Sequence, residues 1–408
     1  MKDKKKKLVL REGGQKLKAS NDHYTSINIK GFRLFDDVTF NDLGRINLFF
    51  GPNNSGKTSV LEAVFTHACG MNFTNAVNTL ITRRKGNTFS GYYDMGKRIL
   101  SIFNKIENSR CSYAIDAYRG AENKKLSVQF TPASDLAILD PRNINKAGID
   151  LKLDKMPIIR ENSSSGEMPV FQQIQQKALG KWENQFNGRK KEIALSFPFM
   201  ESHLDQHYLF ATLDDILSHR NNGVGEITCF GSLKVYNILD DFVKDMKQIF
   251  PIVNKIDLIP YPDGTMTDLV VYTEDGKVLS LSSFGDGMRR WFHILGELIV
   301  HQDSVHCIEE VDATFHHEAL EKLSHGLVEY SRKYNNQLFL TTHNIEFADV
   351  FLKTLYEEKG KYFDNGADPV RIYTLNPVKE GEKRKIEVWS MTGAEAYEKR
   401  QKFNLELR

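Results

Sequence analysis

Cysteine is scarce in this chain. The four cysteines, at positions 69, 111, 229 and 307, are scattered and form no C-x-x-C pair. This pattern argues against a zinc site and is typical of reduced thiols in a cytosol. We therefore expect a cytoplasmic protein.

Long apolar runs, a strong net charge and sustained heptads are also missing. No apolar run approaches the roughly 18 residues of a membrane helix, and the three apolar residues after Lys4–Lys7 are too few for a signal peptide. A net charge of +2 does not by itself indicate a nucleic-acid-binding protein, although local basic patches remain possible. The absence of sustained heptads argues against a long coiled coil. With 40% hydrophobic and 26% charged residues, the composition is that of a soluble globular protein of two or three domains.

A phosphate-binding motif is present. The stretch GPNNSGKT, residues 51–58, fits the pattern G-x-x-x-x-G-K-[ST] between a predicted buried strand and a predicted helix. Its glycines let successive backbone N–H groups turn toward one anion, and the helix N-terminus would face the phosphates. Lys57 is predicted to reach the β- and γ-phosphates, and the Thr58 hydroxyl to ligate Mg²⁺. The predicted nucleotide contacts are Asn53, Asn54, Ser55, Gly56, Lys57, Thr58 and Ser59.

A second anion-binding surface is predicted directly before a helix near residue 288. Ser283, Gly285 and Gly287 would offer a hydroxyl, free N–H groups and a helix dipole. The alternative is a plain helix cap with glycines at a tight turn.

Two acids follow the apolar run 305–308. In a nucleotide triphosphatase with this phosphate loop, a metal ligand and a water-positioning base belong at the carboxylate end of a buried strand. We expect Glu309 to hold the metal and Glu310 to orient or deprotonate the attacking water. The alternative is an acidic loop at a strand end.

A histidine follows the next predicted strand, residues 337–341. His343 is predicted to reach the γ-phosphate or the attacking water at the same sheet edge. A purely structural histidine at a strand–helix turn is the alternative.

The order of these four stretches resembles the ABC-type ATPase superfamily in its SMC-like and OLD-like branches. The resemblance covers Tyr24 to about Gly70 and Ser280 to about Phe351. Residues 31–37 resemble the strand pair that opens these ATPases, in which the equivalent of Arg33 lies near the nucleotide. The pair His316-His317 resembles a double-histidine turn of the OLD-like branch. About 60 residues follow His343, too few for a TOPRIM nuclease domain.

The chain departs from the family pattern in three places. Glu309 stands where the family has a metal-binding aspartate, which puts the turnover rate in question. Phe284 and Asp286 replace the Gly-Gly-Gln of transporter signatures. The glutamine of the family's Q-loop is unassigned, with four candidates at positions 172, 173, 175 and 176.

The resemblance implies an α/β fold, a P-loop head with a mainly parallel sheet, an antiparallel β subdomain and a mostly helical insertion. The expected regions are a basic arm (1–22), an N-terminal half of the head with the β subdomain (23–130), an inserted helical region (131–250) and a C-terminal half (251–408). The runs 99–103, 112–118 and 126–130 are predicted strands, and 171–182, 213–220 and 235–250 are predicted helices.

The resemblance also implies Mg²⁺-dependent ATP hydrolysis in a homo-oligomer. Two protomers would sandwich ATP between the phosphate loop of one and the Ser-Gly stretch of the other, which comprises Ser283, Gly285 and Gly287. Compact OLD-like ATPases of this kind resemble the ATPase subunits of bacterial anti-phage systems, such as the PARIS AriA type. A phage protein or DNA would be the trigger, and a separate nuclease the effector.

Two alternatives stay open. An SMC-like ATPase of DNA repair or recombination would clamp DNA, using the basic clusters 83–85 and 189–191. A nucleotide-dependent scaffold with negligible hydrolysis is the other, because Glu309 replaces the aspartate.

Overall fold

The computed structural model describes residues 23–70, 73–82, 92–104, 106–107, 110–120, 122–132, 177–197, 211–214, 223–260, 267–357, 367–380 and 383–403. The expected basic arm, the basic cluster 83–85 and the four Q-loop candidates lie outside these residues.

The described elements are sixteen strands, nine α-helices and one short 3₁₀ turn. The strands are β1 (Tyr24–Phe32), β2 (Phe35–Phe40), β3 (Ile46–Phe50), β4 (Ile106–Glu107), β5 (Arg110–Arg119), β6 (Glu122–Pro132), β7 (Lys177–Phe186), β8 (Arg189–Phe197), β9 (Ala211–Asp214), β10 (Val253–Pro260), β11 (Thr267–Thr273), β12 (Val278–Ser280), β13 (Val305–Ile308), β14 (Gln337–Thr341), β15 (Val370–Glu380) and β16 (Lys383–Thr392). The helices are α1 (Lys57–Cys69), α2 (Phe73–Thr82), α3 (Tyr92–Leu100), α4 (Gly223–Val235), α5 (Leu239–Ile249), α6 (Asp286–Val300), α7 (His317–Lys333), α8 (Ile345–Tyr356) and α9 (Gly393–Phe403), and the 3₁₀ turn is Leu281–Ser283. No helix within the described part of the chain is both long and apolar enough to cross a membrane.

A mainly parallel sheet forms the centre of the molecule. Its strand order is β16-β15-β3-β14-β13-β9, and every neighbouring pair is parallel except β15 with β16. β3, β13 and β14 are buried along their whole length, as expected for strands covered on both faces. Because parallel strands end at the same edge, the residues that follow β3, β13 and β14 meet there. The expected α/β fold with a mainly parallel sheet is confirmed.

A second sheet covers one side of the first. It is antiparallel, with the order β2-β1-β5-β6-β7-β8 and with β4 beside β5. β5 alternates buried and more exposed residues, because only one of its faces packs on the core. Helix α1 lies between the two sheets, and every residue of it except Thr58 is buried. The expected antiparallel β subdomain is thus confirmed. It fixes the helix that begins at the phosphate loop.

The helix predicted over 171–182 is wrong where the structure describes it. Residues 177–186 form β7, which pairs with β6 and β8 and extends the antiparallel sheet. The missed signal is the turn Asn187-Gly188, in which both residues have positive φ (48° and 80°). A two-residue Asn-Gly turn with this geometry joins adjacent antiparallel strands. The inserted region is therefore not mainly helical over 177–197.

Three other predicted elements differ from the structure. The run 99–103 was expected to be a strand, but Ile99 and Leu100 end α3, whose turns are joined by an Arg98–Asp94 ion pair of 2.9 Å. The helix expected over 235–250 is interrupted, because Asn237 has a φ of 55° between α4 and α5. In the helix expected over 213–220, Leu213 and Asp214 instead end β9, and the rest lies outside the described residues. Short apolar runs do not distinguish helix from strand by periodicity alone.

Candidate nucleotide site

The phosphate loop is compact because two of its residues are glycine. Gly51 has a φ of 140°, and a Cβ there would lie 2.5 Å from the carbonyl oxygen of Leu375. Gly56 has a φ of 103°, and a Cβ there would lie 2.9 Å from the ring of Phe35. Gly56 is also the residue from which α1 begins. The loop is thus wedged between β15 and β2, with its N–H groups at the start of a buried helix.

The side chains of this loop suit a phosphate chain. The Ser55 hydroxyl is buried and has no hydrogen-bond partner among the described residues. Lys57 donates to the carbonyl oxygens of Gly51 (2.7 Å) and Pro52 (3.2 Å). Burial lowers the pKa of Lys57, whereas the nearby carboxylates of Glu310 and Glu309 act in the opposite direction. An orphaned hydroxyl, a partly desolvated ammonium and a helix N-terminus together fit a triphosphate.

Thr58 meets one of the two acids. Its hydroxyl donates a hydrogen bond to Oε1 of Glu309, which joins the start of α1 to the end of β13. A hydroxyl and a carboxylate are oxygen donors that suit Mg²⁺, which usually keeps waters and phosphate oxygens as its other ligands. Among the described residues, no group of three or more His, Cys, Asp or Glu side chains could hold a metal by itself. The residues present therefore fit a metal shared with a phosphate chain.

The second acid pairs with the strand-borne histidine. Nδ1 of His343 lies 2.5 Å from Oε2 of Glu310. Glu310 has a φ of 47°, a left-handed conformation that is uncommon for a residue other than glycine. Its N–H donates to the Thr341 hydroxyl at 3.0 Å. Lys57, Thr58, Glu309, Glu310 and His343 thus meet at one edge of the parallel sheet.

Three residues that the sequence did not single out support the backbone of Glu309 and Glu310. Arg290 is 2% exposed, and its Nη2 donates to the carbonyl oxygens of Glu309 (2.8 Å) and Glu310 (2.6 Å). The carbonyl oxygen of Asp214 accepts the N–H of Glu309 at 2.8 Å. The Asp214 carboxylate in turn lies 3.0 Å from Nε2 of His293. A buried arginine has no sequence pattern of its own. The only sequence sign of Arg290 was its place in the pair Arg289-Arg290, just after the start of the helix.

Asp214 and His293 favour each other's charged form. Burial opposes that form and is the largest single influence on both groups, but the surrounding charges together outweigh it. His293 holds the pKa of Asp214 below its usual value, and Asp214 raises the pKa of His293. A buried ion pair of this kind joins β9 to α6.

The predicted Ser-Gly stretch lies apart from this cluster. Ser283 and Gly285 are exposed before the first turn of α6, and a Cβ on Gly285 would meet no atom of the described residues within 4 Å. Gly287 lies against the loop after Glu310, where a Cβ would be 3.0 Å from the carbonyl oxygen of Thr314. No contact described for the phosphate loop, residues 51–58, involves these residues.

Arg33 and the double histidine have other described partners. Nε of Arg33 donates to the buried Glu62 at 2.8 Å, and its Nη1 donates to the Ser101 hydroxyl at 2.8 Å. Glu62 is five residues after Lys57, about 7.5 Å along the axis of α1. His316 precedes α7, and His317 pairs with Glu346 at 2.7 Å on the surface.

Family comparisons agree with the phosphate loop. A family model described as "AAA domain" matches residues 26–250, more than half of the 408 residues. This chain belongs to the AAA domain family. A second model, "AAA domain, putative AbiEii toxin, Type IV TA system", matches residues 202–349 of this AAA domain protein, a range that includes Glu309, Glu310 and His343. The family and the phosphate loop make the protein an ATPase.

Individual relatives are more distant. The AAA domain protein is 22% identical over 352 residues to an ATP/GTP phosphatase of Helicobacter pylori, a match that covers 82% of this chain and 88% of the relative. It is 24% identical over 173 residues to the DNA replication and repair protein RecF of Clostridium botulinum, covering 40% of this chain and 46% of RecF. It thus spans less than half of that RecF protein.

Among solved structures, the AAA domain protein aligns with an SMC head bound to the C-winged helix domain of ScpA. That alignment has a TM-score of 0.48 at 12% identity and covers 92% of this chain and 99% of that chain. The SMC head domain of Thermotoga maritima aligns with a TM-score of 0.40 at 11% identity, covering 89% and 98%.

Proposed function

We propose that this AAA domain protein hydrolyses ATP with Mg²⁺ in a site that a second copy of the chain completes. The observation that carries the proposal is the meeting of Lys57, Glu310 and His343, from three separate parts of the sequence, at one sheet edge. A binding-only protein needs the lysine, but it does not need a carboxylate paired with a histidine beside it.

Each residue of the cluster has one role in this proposal. Lys57 and the loop N–H groups bind the β- and γ-phosphates. Thr58 and Glu309 hold Mg²⁺, which when bound neutralises charge on the phosphate oxygens. Glu310 orients the attacking water and accepts its proton, and His343 fixes the Glu310 carboxylate and faces the γ-phosphate.

The second copy is inferred from the position of the Ser-Gly stretch. Ser283 and Gly285 are exposed at the start of a fifteen-residue helix, whose N-terminus favours an anion. The phosphate loop of the same chain packs against Phe35 and Leu375. A γ-phosphate held by Lys57 of one copy therefore meets Ser283 of the other, and ATP stabilises the dimer until it is hydrolysed.

Two substitutions test the catalytic part. We expect Lys57→Ala to abolish ATP binding, because the loop loses its cation, and Glu310→Gln to bind ATP but to hydrolyse it at least about a hundredfold more slowly. Lys353→Ala, an exposed lysine on α8, is the control and should retain both properties. Full hydrolysis by Glu310→Gln would refute the assignment of the base.

A mixing experiment tests the shared site. Lys57→Ala and Ser283→Arg should each be inactive alone, but a mixture of the two contains dimers with one intact site. We expect ATPase activity to reappear on mixing and ATP-dependent dimers to be seen by analytical ultracentrifugation. Activity of Ser283→Arg alone, or a mixture that stays inactive while both variants remain folded, would exclude the shared site.

In the cell, we propose that the protein is the regulatory ATPase of an anti-phage system and controls a separate nuclease. One matched family description names a toxin and a TA system, which supports a role beside a separate effector protein. We expect Lys57→Ala and Glu310→Gln each to abolish protection against phage in a plaque assay with the neighbouring genes present. Unchanged protection with both variants would overturn this role.

The similarity to RecF favours a second candidate, an ATPase that clamps DNA. Arg189 and Lys190 are exposed on the edge strand β8 and would meet the phosphate backbone. This candidate predicts ATPase stimulation by duplex DNA that disappears as salt rises. A rate that does not respond to DNA at low salt would favour the regulatory role.

A further inference from the structure

Helix α6 presents two buried side chains toward the acids. Arg290 and His293 are three residues apart, so they lie on the same face of the helix. Both are nearly inaccessible, at 2% and 3% exposure. Their hydrogen bonds leave the helix and reach two different strand ends.

These bonds hold the backbone of the acid pair on two sides. Arg290 donates to the carbonyl oxygens of Glu309 and Glu310, at 2.8 and 2.6 Å. On the other side, the carbonyl oxygen of Asp214 accepts the N–H of Glu309 at 2.8 Å. His293 joins the two sides, because its Nε2 lies 3.0 Å from the Asp214 carboxylate.

The acids need this support. Glu310 has a left-handed φ of 47°, and a residue in a sparsely populated backbone region persists only where its surroundings hold it. Its carboxylate must also reach both His343 and a water molecule. A displacement of about 1 Å at a reacting group can lower a rate by about a hundredfold.

We propose that Asp214 and His293 are positioning residues for the proposed ATP hydrolysis. Their ion pair fixes the end of β9 against α6, and the Asp214 carbonyl then fixes the start of the Glu309-Glu310 segment. Neither side chain touches ATP in this arrangement. The inference rests on the proposed function, since it assigns the residues that keep its base in place.

Measuring kcat and KM separately in variants of Asp214 and His293 tests the proposal. Asp214→Asn keeps the shape of the side chain but removes its charge, and His293→Ala removes the partner. We expect both to lower kcat by about tenfold or more while the KM and Kd for ATP change by less than about twofold. His293→Gln retains an amide donor for Asp214 and should recover part of the lost kcat. His293→Gln also carries the test if Asp214→Asn does not fold.

Another carboxylate–cation pair that joins two elements offers a control. Asp349 of α8 pairs with Arg400 of α9 at 2.6 Å, with 45% and 10% exposed side chains. We expect Asp349→Asn to lower the unfolding temperature as Asp214→Asn does, but to keep the wild-type kcat. Equal losses of kcat in both variants, or an unchanged kcat in Asp214→Asn, would overturn the inference. An inactive wild-type protein would instead overturn the proposed function.

Discussion

Nδ1 of His343 lies 2.5 Å from Oε2 of Glu310, and the two side chains differ in exposure, with 66% for the histidine and 16% for the glutamate. The carboxylate is sheltered, while the imidazole is largely exposed to solvent. Without the imidazole, the Glu310 carboxylate loses the partner that fixes its direction. The pair therefore predicts a defect in turnover that leaves ATP binding intact.

We expect His343→Ala to lower kcat by about a hundredfold, within the range that a positioned acid–base group contributes, with the Kd for ATP changed only a few-fold. Single-turnover hydrolysis and equilibrium binding of a fluorescent ATP analogue measure the two quantities. His317→Ala is the matched control, because His317 is 68% exposed and pairs with Glu346 at 2.7 Å. A raised KM at unchanged kcat would contradict the role of His343.

The phosphate loop should be sensitive to a single methyl group. We expect Gly51→Ala to abolish ATP binding, because the new Cβ would lie 2.5 Å from the carbonyl oxygen of Leu375 at a φ of 140°. Gly188→Ala is the control, since Gly188 also has a positive φ (80°) but no atom in the described part of the chain lies within 4 Å of the new Cβ. It should lose about 1 kcal/mol of stability and keep normal ATP binding. Isothermal calorimetry decides between these outcomes.

Much of the central sheet could be predicted from sequence because its signals are local. The apolar runs of β3, β13 and β14 have no competing helical period, and Gly51, Glu309 and His343 follow their ends within two residues. The carboxyl ends of parallel strands share an edge, so the meeting of Glu310 with His343 follows from strand type alone.

The rest depends on tertiary contacts that leave no local pattern. Residues 177–186 became a strand because β6 offered an edge to pair with, and the Asn187-Gly188 turn was the only local sign of it. Asp214 gained its role through a neighbouring strand and a helix about eighty residues away along the chain. Arg290 is an ordinary charged residue in the sequence, and only folding places its guanidinium against two carbonyl groups.

The Thr58 hydroxyl should control the metal requirement. It donates a hydrogen bond to the Glu309 carboxylate, so the two oxygen donors proposed for Mg²⁺ lie next to each other. We expect Thr58→Ala to raise the Mg²⁺ concentration for half-maximal turnover by about 10- to 100-fold, whereas Thr58→Ser keeps the hydroxyl and behaves as wild type. EDTA should abolish turnover in all three proteins. Binding of Mn²⁺ with ADP, followed by electron paramagnetic resonance, should show the same order, and equal Mn²⁺ affinities would exclude Thr58 as a ligand.

His67 joins the far end of α1 to the antiparallel sheet. Its Nε2 lies 2.9 Å from the carbonyl oxygen of Lys124, and its Nδ1 lies 2.7 Å from the Tyr24 hydroxyl. Because the carbonyl can only accept, Nε2 carries the proton and Nδ1 accepts from Tyr24. Burial lowers the pKa of His67 from 6.5 to about 4, and the Lys124 carbonyl offsets this only in part. Folded His67 therefore stays neutral at pH values where the unfolded chain already binds a proton.

The neutral His67 makes stability fall as the solution becomes acidic. Its contribution is complete above pH 6.5 and is lost as the pH falls from 6.5 toward 4, because only the unfolded state gains a proton in that window. At pH 5 the free energy of unfolding has fallen by about 2 kcal/mol through this group.

His67→Gln can still donate to Lys124 and accept from Tyr24 but does not titrate, so we expect its free energy of unfolding to fall by about 2 kcal/mol less than that of wild type between pH 7.5 and 5. Urea unfolding at the two pH values measures both losses. His306, whose pKa burial also lowers to about 4, is present in both proteins and cancels in the comparison. Equal losses in the two proteins would mean that His67 does not titrate differently on unfolding.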